Sequence, residues 1–112
     1  MKFDHSRIVP IHWAGIPASE EAGTCGSAAI KRAQAGDIRA RLIECSAGYV
    51  AAHWCAKGHM IHVTSGDAVV EYHDGTFHRI VSGMSYYIPD GDRFYHRLRT
   101  ESGATLFVID SE

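Results

Sequence analysis

His53, Cys55, His59 and His62 fall within one ten-residue window of a 112-residue chain that holds eight histidines and three cysteines in all. Imidazole nitrogen and thiolate sulfur are the ligands that late first-row divalent ions prefer. Three such groups with one position open form the catalytic pattern for zinc, and four protein ligands form the closed, structural one. The same residues have a plainer use. Histidines without a metal can be hydrogen-bonded pocket residues whose pKa values fall through burial and mutual repulsion. A single cysteine such as Cys55 is often a small, inert buried hydrophobe.

Spacing narrows the set. Along an extended segment, residues two apart share a face, so Tyr49, Ala51, His53 and Cys55 point together. Lys57-Gly58 can turn the chain, after which His59 opens a new strand with Ile61 and Val63 on its own face. His62 then points to the opposite face. Geometry therefore proposes His53, His59 and Cys55 as convergent groups and sets His62 aside.

The elements that would hold these residues are strands. Gly-containing turn signals recur at short intervals, among them Gly36-Asp37, Gly66-Asp67, Asp74-Gly75, Asp90-Gly91 and Ser102-Gly103. Short runs rich in β-branched and aromatic residues lie between them, the mark of an all-β sandwich or barrel. Ile38, Ala40 and Leu42 alternate with Arg39 and Arg41, a half-buried strand with its arginines outward. Arg97 and Arg99 are likewise expected outside, although any of the four facing inward would meet an anionic substrate. Ala68–Tyr72 and Phe77–Val81 flank an Asp74-Gly75 hairpin turn. Ser85–Ile88 is a strand stopped by Pro89, with its inward face undecided, and Ala104–Ile109 is an apolar run suited to burial on both faces. Phe94, His96 and Leu98 share a face. Ser19–Ala22, with a serine ahead of two acids, predicts a single helical turn. Cys25 and Cys45 read as core or strand residues, and His73 and His78 as solvent-facing or cross-strand ones.

No repeat, low-complexity run or Pro/Gly-rich linker divides the chain, so one domain over residues 1–112 is expected, with an arm at 1–23 and a barrel core at 36–110. The arm carries Phe3, Ile8, Ile11, Trp13 and Ile16 for packing on the barrel or on a second subunit, and His5 and His12 as surface residues.

Two motifs resemble those of the cupins. The first cupin motif runs G-x5-H-x-H-x(3,4)-E-x6-G. Here Gly48 is followed by four residues before His53, Cys55 stands at the second His, His59 stands at the Glu, and six residues lead to Gly66. The second motif runs G-x5-P-x-G-x2-H-x3-N. Gly83, Pro89 and Gly91 match it without a gap, His96 follows Gly91 after four residues, and Thr100 replaces the Asn. The run His53-Trp54-Cys55-x-Lys57-Gly58-His59 is similar to a group of small bacterial cupins marked by an Asp-His-Cys-Trp motif, with Ala52 in place of the acid. The resemblance spans roughly residues 36–110. It implies a cupin-type β-barrel (a jelly roll) with a metal bound by His53, His59 and His96, and Cys55 as a further candidate. An even, two-residue delay keeps His96 on the ligand's face if the intervening backbone is extended. Exchanging Glu for His59 and His for Cys55 softens the ligand set, which favours zinc or nickel and leaves copper or iron open over manganese or magnesium.

Composition bounds the partners. At 46% hydrophobic and 21% charged the chain is ordinary globular, and a net charge of −2 without a basic stripe argues against nucleic acid. No apolar stretch approaches the ~20 residues of a membrane helix, and Met1–His5 opens no secretory h-region. Three cysteines without a CxxC framework suggest reduced thiols in the cytoplasm. A homodimer and a small-molecule ligand are expected. Two functions stay open: a metal-dependent enzyme on a small polar molecule, and a non-catalytic ligand-binding or sensing barrel with a structural metal or an empty pocket.

Overall fold

The computed structural model describes residues 7–111; Phe3 and His5 of the arm lie outside the described residues. Among the described residues eight strands form in chain order: β1 (Ser19–Ala22), β2 (Ser27–Ala35), β3 (Ile38–Cys45), β4 (His59–Tyr72), β5 (Phe77–Val81), β6 (Ser85–Ile88), β7 (His96–Arg99) and β8 (Ala104–Asp110). The only helical pieces among the described residues are two three-residue 3-10 turns, Trp13–Gly15 and Asp92–Phe94. This is the all-β barrel that the turn spacing and the resemblance imply.

The strand order is β1-β2-β3-β8-β4-β5, all antiparallel, with β6 and β7 also paired to β4. The first half of β4 pairs with β6 and β8, and its second half with β5 and β7. A register shift between Val63 and Ser65 separates the halves, and Gly66 follows with φ +75°. A Cβ on Gly66 would lie 2.2 Å from the Gly103 carbonyl oxygen. The bend thus needs glycine twice over, for the left-handed backbone and for the close approach. By changing partners there, β4 curls the sheet and encloses the core. Val63, Ile80, Ile88 and Leu106 are almost wholly buried within it. Each contributes about 1.5–3 kcal/mol relative to exposure.

The hairpin forms as expected, with Glu71 opposite Phe77 and Asp74 accepting hydrogen bonds from Thr76. β6 spans the expected residues, with Tyr86 and Ile88 turned to the core and Tyr87 outward.

Two expectations are corrected. Ser19–Ala22 is a strand, because its backbone groups pair with β2 from Ser19↔Ile30 to Ala22↔Ser27 and four residues cannot nucleate an isolated helix. The paired sheet consequently reaches well before residue 36. β3 has the opposite facing: Arg41 and Ile43 line an interior cavity, so Ala40 and Leu42 lie on the outer face. That outer face is also covered, since Trp13 packs edge-on against Phe107 and its carbonyl accepts from the Lys31 ammonium. A strand sandwiched between core and arm carries apolar residues on both faces, and alternation then cannot tell inside from outside. Of the two cysteines read as core or strand residues, Cys25 is exposed and bridges to Val50, while Cys45 is buried in β3.

Candidate metal centre

The site begins with two backbone hydrogen bonds. The Cys55 amide donates to the His96 carbonyl at 2.7 Å and the His96 amide returns to the Cys55 carbonyl at 3.0 Å. Residues exchanging both bonds stand directly opposite, with side chains on the same face. Cys55 and His96 are thereby set side by side. After Cys55 the chain turns at Lys57-Gly58 and enters β4 at His59. The turn is clamped from the second motif: Asp90 Oδ1 accepts from the Gly58 amide at 2.5 Å and from the Ser111 hydroxyl at 2.6 Å. Gly58 itself is buried against that loop, where a Cβ would meet the Ile88 carbonyl oxygen at 2.5 Å. The glycine-containing loops of the two motifs are packed against each other, and this brings His59 over Cys55.

Ligand atoms of Cys55, His59 and His96 all lie within 4.8 Å of one another. Cys55 Sγ is 3.7 Å from His59 Nε2, and the two imidazole rings meet edge to face with centroids 5.1 Å apart. Each ring is oriented by a partner on its other nitrogen. His59 Nδ1 is 2.8 Å from Asp110 Oδ1, and His96 Nδ1 is 2.6 Å from the Phe94 carbonyl oxygen. Both Nδ1 atoms thus act as donors, which leaves the Nε2 of each ring facing the cluster as an acceptor, that of His59 already beside the Cys55 sulfur. His96 Nε2 is buried with no hydrogen-bond partner. A buried polar atom without a partner is costly, and a metal ion is one of the few groups that would satisfy this one.

For His96 the electrostatics agree with a neutral ring. Burial lowers the pKa of His96, helped by the neighbouring His59, against an upward pull from the Phe94 carbonyl. Burial would raise Asp110, but hydrogen bonds from His59 and from Arg41 outweigh it and hold the carboxyl at about 2. Arg41 grips Asp110 with both arms at 2.6 Å. It is therefore an inward-facing arginine, contrary to its expected place on the outer surface. Arg97 and Arg99 pair with Glu71, and Arg97, expected outside, also borders the cavity.

His53 is placed differently from Cys55. From Val50 to Cys55 the chain takes five steps, while the opposing strand takes three, from Arg99 to His96. The surplus is absorbed in a bend at Ala52–His53. His53 is exposed in the wall of the shared cavity, outside the tight group of three. His62 lies on the opposite face from His59, its Nδ1 bonded to the Ser85 hydroxyl at 2.9 Å. His12, His73 and His78 are exposed. His96 faces inward for another reason than an extended approach: residues 92–94 form a 3-10 turn, and its facing is set by pairing with Cys55 and Tyr72.

The cavity holds about 160 Å³ and is walled chiefly by Ile43, Tyr49, Ile61, Leu98, Leu106 and Val108 around the polar groups. A few convergent polar groups in an apolar cleft are the usual make-up of a small-molecule site. Two residues central to it escaped the sequence reading. Asp110 lies beyond both motifs and Asp90 fills an unspecified position of the second, so their only signal is an acid placed at the end of an apolar strand or inside a turn.

Comparison of the sequence with protein-family models and with curated proteins gives no match. Solved structures do match, and they define the class: the fold is that of the cupins. A cupin-2 domain protein from Shewanella frigidimarina is similar at 17% identity over 74% of this chain and 79% of its own, TM-score 0.60. A sugar phosphate isomerase of the cupin superfamily from Silicibacter pomeroyi gives 18% identity over 93% and 76%, TM-score 0.69. The polyketide cyclase RemF from Streptomyces resistomycificus gives 15% identity over 93% and 79%, TM-score 0.74.

Proposed function

We propose that this cupin-fold protein binds one divalent transition metal through Cys55 Sγ, His59 Nε2 and His96 Nε2, and uses the remaining coordination position for a small polar molecule. The orphaned Nε2 of His96, aimed into a group whose other imidazole is equally oriented, carries this reading. A thiolate and two imidazoles favour zinc or nickel, with copper or iron as alternatives. The metal would supply Lewis acidity toward an oxygen of the bound molecule. The chain's own residues would do the rest. Asp110 holds the His59 ring, the apolar wall limits water, and His53 offers an exposed imidazole in the same wall for proton exchange. Elemental analysis of the purified protein should find close to one equivalent of metal, lost in His96→Ala. No metal after loading with zinc and nickel would overturn it.

A second reading rests on one observation. Cys55 Sγ, His59 and Asp110 stand in line, with contacts of 3.7 and 2.8 Å. That is the order of a thiol nucleophile, its base and an orienting acid. A metal-free protein whose Cys55 is alkylated far faster than Cys25 would favour it. A non-catalytic ligand-binding or sensing barrel, with a structural metal or an empty pocket, would show no turnover.

We further propose a homodimer in the reducing cytoplasm. Three free thiols support the compartment. No helix among the described residues is long and apolar enough to cross a membrane. For the dimer, Met60 and Tyr87 are cross-strand partners on the outer face and are 45% and 67% exposed. Such apolar groups suit a second copy. Light scattering should report twice the chain mass, falling to the monomer in Tyr87→Glu; a monomeric parent protein would refute it.

A further inference from the structure

We propose that the barrel mouth beside Asp110 is an anion subsite, in which Arg39, with Arg41 and Arg32, binds a carboxylate or phosphate group of the molecule whose other end meets the metal. The second half of that statement rests on the metal reading; the subsite itself does not. Register places the residues. Arg39 and His59 are both cross-strand partners of Asp110, one on β3 and one on β4. The three form a single row across the sheet, with Arg39 two strand spacings, roughly 10 Å, from His59 along the backbone. Gln34, the partner of Arg39, extends this row, and Arg32 and Arg41 are partners two residues along. Alternation puts Arg39 on the face of Arg41, which is the face of the candidate ligands.

Arg32, Gln34, Arg39, Arg41 and Asp110, with Ala33 and Ala40, line a cavity of about 370 Å³ that shares Arg41 with the cavity of the metal centre. Its charge is unbalanced. Arg41 is held by Asp110 at 2.6 Å and Arg32 by Glu21 at 2.7 Å, while Arg39 has no ion-pair partner among the described residues. Asp110 also serves His59, so one carboxylate answers both an arginine and a histidine. A planar guanidinium beside two others matches the paired oxygens of carboxylate or phosphate, which a lone ammonium would not. A small molecule bridging both cavities would have its anionic group at Arg39 and a neutral oxygen at the metal.

The test is titration calorimetry of inorganic phosphate and of malonate into zinc-loaded and metal-free protein, with glycerol as the uncharged control. At least one anion should bind, and glycerol should not. Arg39→Gln should weaken that anion roughly ten- to a hundredfold without changing zinc content, the loss expected for charge-assisted hydrogen bonds. Arg79→Gln, an exposed change on β5, should match the parent. The probe that loses more in Arg39→Gln identifies the anionic group. Arg39-dependent binding in a protein that takes up no metal would uphold the subsite while the metal reading fails. Binding to zinc-loaded protein that is indifferent to Arg39→Gln and Arg32→Gln would overturn the subsite and leave the metal centre standing. Absence of binding by both anions would also overturn it.

Discussion

Asp110, the last residue of β8, accepts a hydrogen bond from His59, the first residue of β4, at 2.8 Å across adjacent strands. The contact fixes which nitrogen of His59 carries the proton and turns Nε2 toward Cys55. Carboxylates behind metal-binding histidines commonly set ring orientation and raise ligand basicity. Asp110→Asn removes the charge and should weaken zinc binding roughly tenfold, and Asp110→Ala more, within the ten- to hundredfold range usual for such partners. Competition against a chromogenic chelator measures it. Equal affinities in parent and both variants would show that Asp110 has no hold on the site.

The ligand set can be separated residue by residue. Cys55→Ser, His59→Ala and His96→Ala should each lose stoichiometric metal. His62→Ala should keep it, because His62 points away from the site toward Ser85. His53→Ala is the informative variant: its place on the bend predicts retained metal with altered ligand binding. Metal loss in His53→Ala would bring His53 into the ligand set in solution.

Acid stability provides an independent reading of Asp110. Its carboxyl lies at about 2 in the folded protein, below the unfolded value of about 3.9. A lowered carboxylate contributes stability that is present above the unfolded pKa and is lost as pH falls through the folded one. Metal-free protein should therefore lose stability between about pH 5 and pH 2. Asp110→Asn should have a shallower acid limb over that window, seen by urea unfolding at stepped pH. An unchanged slope would contradict the assignment.

The three thiols should differ sharply toward an alkylating reagent. Cys25 is exposed and should react first. Cys45 is buried, and burial raises its thiol to about 11, so it should react only on unfolding. Cys55 should be protected in metal-loaded protein and released by a chelator. Peptide mapping by mass spectrometry reads all three. Cys55 alkylated at the same rate with and without metal would count against its ligation.

Local pattern by itself determined a good deal of this protein. Turn residues at short intervals, the Asp74-Gly75 hairpin and the Pro89 stop specify an all-β chain, because glycine and proline act on their own backbone whatever surrounds them. The opposite facing of His59 and His62 was equally legible, since a continuous strand has a period of two. Tertiary structure decided what depends on partners distant in the chain. Ser19–Ala22 became a strand because β2 was there to pair with it. β3 turned Arg41 inward because the arm covers its other face, which no alternation within β3 can report. Of the proposed pair, Cys55 meets His59 and His96 while His53 stands apart from them, because five steps on one side of a ladder face three on the other, a mismatch visible only once Val50 meets Arg99 and Cys55 meets His96. Asp110 came to orient His59 from fifty-one residues away through β8–β4 pairing, and a single sequence holds no trace of such a contact.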